Sequence, residues 1–213
     1  VWLGVVALCG TCVEARAEDL LAAVKEQTSR YAAQLAELAT WCDQQGLAEQ
    51  AKKTRSWLTP HDPNQLYVII LPEAVGRPPL PEGTPKNVAQ WDARFTQLRR
   101  DQAVALENLA RRLILAQKAS LAFDLVMAAI RENPDHDGIR RMLGYQKYRD
   151  CWRTQYEVNN LRSGMIWHDK FGWIHKANVE RYEKGERWGG GRWISAGADA
   201  RTHRDIRSGW HIE

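Results

Sequence analysis

Trp152, Trp173 and Trp193 recur at steps of 21 and 20 residues, each in a similar local setting: YRDCWRTQYE, DKFGWIHKAN and GGGRWISAGA. A fixed period restricts the chain to repeat architectures, because a unit this small cannot bury an apolar face without its neighbours. Each segment joins a short aromatic stretch, a turn, the Trp and then a polar residue able to open a helix. Each unit is therefore predicted to be a two-stranded ribbon followed by a short helix. Thr154-Gln155-Tyr156-Glu157 has the spacing of a capping box, and Ser195 with Asp199 is a looser version. Gly172 and Gly189-Gly190-Gly191 supply the turns before the second and third Trp. Trp152, Trp173 and Trp193 are expected to be equivalent core residues of successive units, since regular spacing is what packing between units requires. The alternative is a row of exposed indoles that stacks on sugar rings or peptide chains.

The front of the chain, VWLGVVALCGTCVEARAED, is apolar through Val13 and reaches Ala15-Arg16-Ala17. An apolar run ending in A-x-A predicts the end of a secretory signal peptide over residues 1–17, truncated at its front, with cleavage before Glu18. The run is too short for a stable membrane span. An exported protein, periplasmic or extracellular, is expected. Net charge is +4 from 30 basic and 26 acidic residues, too even a balance for a nucleic-acid partner. Cys42 and Cys151 could pair in an oxidising compartment. The favoured reading makes both small apolar residues.

Residues 18–71 read as a helical pair and a short strand. Leu21, Val24, Thr28, Tyr31, Leu35, Leu38 and Cys42 form one stripe over the first helix, stopped at Gly46. A shorter helix over 47–58 ends at Thr59-Pro60, and LYVIIL over 66–71 reads as a strand. Five prolines make 72–86 a loop or surface connector. Residues 87–144 read as a helical hairpin, with a long helix to about Gln117 and a partner over Ala119–Glu132 stopped by Asn133-Pro134. The fold class is thus mainly α, followed over 145–213 by a small α+β region of Trp-centred units.

The hairpin resembles a tetratricopeptide repeat over residues 103–136. Leu106, Leu109, Ala110 and Leu113 fall where that family places its first-helix packing residues. Ala122, Val126, Ala129 and Ile130, with Pro134, fall where it places the second helix and its stop. Leu106, Ala110 and Leu113 stand where Trp, Gly and Tyr are usual. A second unit starts as IRRMLGYQKY and gives way to the Trp segment. From about residue 118 the chain resembles a region of large secreted bacterial proteins, through LGYxxYxxxWxTxxE, WHxxFGWIxKAxVERYExGERW and GRWIS with DARTHRDIRSGWHIE. In those proteins helical, tetratricopeptide-like sequence leads into Trp repeats and then into a domain similar to zinc metallopeptidases. The resemblance implies that any such catalytic domain lies beyond Glu213.

The chain contains no H-E-x-x-H, G-x-S-x-G or P-loop. His168 and His175 flank a turn, but no metal site is expected of them. Asp135-His136-Asp137 reads as a turn and helix cap. No catalytic residue and no cofactor are expected. The expected function is a non-catalytic scaffold or protein-interaction region of an exported bacterial protein. It would position a downstream domain, or bind a protein partner on a helical surface near Trp91 and Phe95. The alternatives are an accessory, substrate-holding region of a metallopeptidase-like protein, and binding of carbohydrate or cell-wall glycan through the Trp ribbons.

Overall fold

The computed structural model describes residues 7–58, 70–189, 191–195 and 197. It is mainly helical, with small two-stranded sheets towards the C-terminus. The helices are α1 (Ala7–Gln44), α2 (Ala48–Ser56), α3 (Lys86–Leu115), α4 (Ala119–Glu132), α5 (Asp137–Met142), α6 (Gln155–Arg162) and α7 (Val179–Glu183). The strands are β1 (Tyr145–Tyr148), β2 (Cys151–Thr154), β3 (Met165–His168), β4 (Gly172–His175), β5 (Arg187–Gly189) and β6 (Arg192–Ile194). They pair as β1–β2, β3–β4 and β5–β6. The chain divides into two compact units, Val1–Trp152 and Arg153–Glu213. The division falls inside β2, so the first Trp belongs with the helices and not with the region expected to begin at residue 145.

In the helical unit, α1 is helical through Ala15-Arg16-Ala17 and stops at Gly46. Leu47 N donates to Cys42 O at 2.8 Å and Gly46 N to Asp43 O at 3.1 Å, the paired bonds of a Schellman cap. Gly46 sits at φ +69, where a side chain would be strained. The buried stripe of α1 differs from the expected one at its start. Leu20 is buried and Leu21 is exposed, because Leu20, Tyr31 and Cys42 repeat every 11 residues, close to three full turns. Tyr31, Leu35, Leu38 and Cys42 pack with Ala51 of α2 and with Trp91 and Phe95 of α3. Trp91 stacks on Phe95 at 5.3 Å and its indole N–H donates to Thr54 at 3.0 Å. Both rings are buried, which corrects the expectation that they form a partner surface: their bulk is needed to join three helices.

The α3–α4 hairpin buries Leu106, Leu109, Ala110, Leu113, Ala122, Val126, Ala129 and Ile130. Ala110 clusters with Val126, Ala129 and Ile130, and Ala122 with Leu113 and Leu20. The short connection at 116–118 sets this register, so Ala110 meets its neighbours one turn deeper along α4 than Ala122. Cys42 and Cys151 are both free thiols. The expected strand at 66–71 lies outside the described residues up to residue 69, and Ile70 and Leu71 take no regular structure. The expected stop at Thr59-Pro60 also lies outside them.

The segment after Pro72 is more than a connector. Ala74 bridges Cys151 in antiparallel sense, Trp152 N donates to Glu73 O at 2.6 Å, and Val75 N donates to Asp150 O at 2.9 Å. The buried Arg140 guanidinium holds the same strap, donating to Pro72 O and to Pro134 O, each at 2.6 Å. Proline at 72 leaves a carbonyl to accept and no N–H to satisfy.

Candidate functional site

Each hairpin's turn decides where its tryptophan points. Arg149 and Asp150 connect β1 to β2 with φ of 48 and 33, the left-handed pair of a type I′ turn. Between β3 and β4 the connection is one residue longer. Phe171 N donates to His168 O at 3.1 Å, which closes a four-residue turn, and Gly172, paired with His168, takes φ +71. Both geometries make the residues flanking the turn a hydrogen-bonded pair. The next pair out is then non-hydrogen-bonded, with closely opposed side chains and backbone groups aimed off the strand edges. In the second hairpin that pair is Trp167 with Trp173, and in the third it is Trp188 with Trp193.

The sequence reading takes one Trp per unit as its core. The structure instead places a cross-strand Trp pair on one face of each of the last two hairpins. Trp167 and Trp173 meet edge to face at 5.8 Å and 72°, and Trp188 and Trp193 at 5.5 Å and 68°. Trp167 and Trp188 are 61% and 57% exposed, and Trp173 and Trp193 are half-buried. The covered residue of the second hairpin is Ile174, on the opposite face. Trp152 alone of the three predicted positions is fully buried, at 2% exposure. Its indole N–H donates to Asp135 Oδ1 at 2.6 Å and its ring lies 5.3 Å from the Arg140 guanidinium. The three positions are equivalent in register and unequal in burial. This corrects the expectation of one shared core role. Trp167 and Trp188 themselves stand 21 residues apart, a signal in the sequence that points to the second member of each pair.

Helices carry the remaining rings. The capping box of α6 forms: Glu157 N donates to the Thr154 hydroxyl at 3.3 Å and Thr154 N to Glu157 Oε2 at 2.6 Å. Burial alone would raise the Glu157 carboxyl. The Thr154 hydrogen bonds and Arg153 outweigh it and hold the group below its ordinary value. The cap sets α6 so that Tyr156 meets Trp173 at 6.4 Å, and α7 places Tyr182 at 5.3 Å from Trp193. The result is an open groove of about 570 Å³ between Trp173, Tyr182, Trp188 and Trp193, with His175 and Asn178 as its polar lining. His168 and His175 lie at opposite ends of their hairpin, paired with Gly172 and Met165. Among the described residues no group of His, Cys, Asp and Glu converges as a metal ion would require. Ser195 is described and exposed, whereas Asp199 lies outside the described residues.

A second hollow, of about 450 Å³, lies in the helical unit beneath the strap, lined by Arg77, Arg99, Arg100, Glu132 and Asp135 among others. Most of its charges have structural partners. Glu132 is buried and accepts from Tyr31 Oη at 2.8 Å and from Trp57 Nε1 at 2.9 Å, with Arg99 Nε at 3.4 Å. Arg77 pairs with Asp92 at 2.6 Å, and Asp135 takes the Trp152 indole and Gly76 N. Burial, then the Glu132 charge, push the Tyr31 phenol far above its ordinary value, so it stays protonated and is not activated as a base or nucleophile. His136 caps α5 by accepting from Ile139 N, within the turn expected at 135–137.

No protein-family model, curated protein or solved structure matches this chain. Fold and site together define a class: a mainly helical protein that carries two Trp-paired β-hairpins, each with an exposed indole. Among the described residues no helix is long and apolar enough to cross a membrane.

Proposed function

We propose that this chain is a protein-interaction region of an exported protein, in which the helical unit is a scaffold and the last two hairpins recognise a partner. One observation carries this reading: two successive hairpins expose Trp pairs beside an open aromatic groove. Burying an exposed Trp on binding is among the largest contributions a single side chain makes to an interface. The α3–α4 hairpin, tetratricopeptide-like in its spacing, would serve that scaffold. The signal-peptide pattern at residues 1–17 motivates export, and positioning of a downstream domain is compatible with the same role. Glycan binding is less well supported by the geometry. A sugar platform needs coplanar indoles, and the planes within each pair cross at 72° and 68°.

Intrinsic tryptophan fluorescence during titration with a random peptide library and with cell-wall oligosaccharides tests the reading. Peptides should shift the emission of the parent and leave that of a Trp167→Ala/Trp188→Ala variant unchanged. Saturable shifts with oligosaccharides alone would overturn it.

A further inference from the structure

The first hairpin shows what its two successors lack. Within the helical unit the outer edge of β2 is covered by Glu73–Val75 through an isolated antiparallel bridge, with Trp152 N and Asp150 O as the backbone groups used. The Trp152 indole N–H is taken by a carboxylate, that of Asp135. Trp173 and Trp193 occupy the same register, in non-hydrogen-bonded pairs, with backbone N–H and C=O directed off the outer edges of β4 and β6. Among the described residues neither their indole N–H groups nor these outward backbone N–H groups have a hydrogen-bond partner. Two exposed basic side chains stand close by, Lys176 beyond Trp173 and Arg192 before Trp193, whereas Arg181, 5.0 Å from the Trp193 ring, is ion-paired with Glu186 at 3.7 Å.

We propose that the outer edges of β4 and β6 bind an extended, acidic peptide segment of a partner protein. The segment adds antiparallel as a third strand, extending the bridge that Glu73–Val75 makes to β2. This rests on the interaction reading above and names the partner's chemistry. Backbone pairing supplies an N–H and a C=O at the spacing only a peptide matches. A partner carboxylate takes the indole N–H in the place Asp135 holds for Trp152, and Lys176 and Arg192 favour that charge.

The full chain, labelled with nitrogen-15, is titrated with the acidic peptide LPEAVGE, the sequence of residues 71–77 with glutamate in place of the final arginine. A control peptide carries an N-methyl group on its valine, which deletes the N–H that Val75 uses on β2. The unmodified peptide should shift the backbone amide of Trp173 or Trp193 and slow its hydrogen exchange. The N-methyl peptide should bind about ten-fold more weakly, the factor that corresponds to one lost hydrogen bond. Equal affinity of the two peptides overturns strand addition. So do shifts confined to the indole N–H signals; that pattern leaves the interaction reading intact. Displacement of the strap, seen as a shift at the Trp152 amide alone, also overturns it. No response at any of these amides overturns it too, and the library titration then decides separately whether the hairpins bind peptides at all.

Discussion

Glu132 shows how one residue can hold several elements. Its carboxylate lies buried at the end of α4, accepts hydrogen bonds from α1 and from the residue after α2, and is ion-paired with Arg99 of α3. A buried carboxylate is tolerated only when its lone pairs are filled. Tyr31→Phe removes one donor and should cost about 1–2 kcal/mol at neutral pH, read by urea denaturation. The phenol's folded value lies above its unfolded one, so its contribution is complete below about pH 10 and declines as pH rises further. The gap between variant and parent should therefore narrow in alkaline solution, and a gap that widens would contradict the assignment. Glu157 has the opposite sign. Its folded value is depressed, so the cap's electrostatic contribution is present above about pH 4.3 and is lost as pH falls. Thr154→Ala should cost about 1 kcal/mol at pH 7 and less in acid.

At the scale of elements, the turns decide more than the helices and strands they join. The α3–α4 connection closes with Gln117 N to Ile114 O and Lys118 N to Leu113 O, both at 2.9 Å, another Schellman cap. Here the left-handed position is Gln117, at φ 59. A side chain in that region costs about 1–2 kcal/mol, and glycine returns part of the gain through its freer unfolded chain. Gln117→Gly should therefore raise stability by about 0.5–1 kcal/mol, seen as a higher denaturation midpoint. A lower midpoint would mean that the Gln117 side chain makes a contribution of its own. The α3–α4 hairpin is legible in the sequence because a 3.6-residue period over two long helices identifies the buried face of each. The strap is not legible. Its pairing with β2 joins segments far apart in the chain, and its prolines read as a connector until the carbonyls of Glu73 and Pro72 are seen to accept hydrogen bonds.

For the molecule as a whole, repetition fixes register without fixing environment. The period in the sequence marks Trp152, Trp173 and Trp193 as counterparts, and in the hairpins they are. The period does not say what covers each one. A strand of three or four residues alternates between faces, and either face can be the buried one. Trp152 is covered by the strap, Asp135 and Arg140, which supply its surroundings from distant parts of the sequence, whereas the second hairpin buries Ile174 and the last two hairpins leave Trp167 and Trp188 exposed. We propose a division of labour: the first Trp builds the fold, and the exposed members of the later pairs are available to a partner. Thermal and urea unfolding of Trp152→Ala beside Trp167→Ala and Trp188→Ala tests it most directly. Truncating Trp152 should cost about 3–5 kcal/mol, as large aromatic deletions from a core do. The other two should stay within about 1 kcal/mol of the parent, as exposed substitutions do. Equal, large losses in all three variants would show that the hairpin tryptophans are one shared core and would contradict the account.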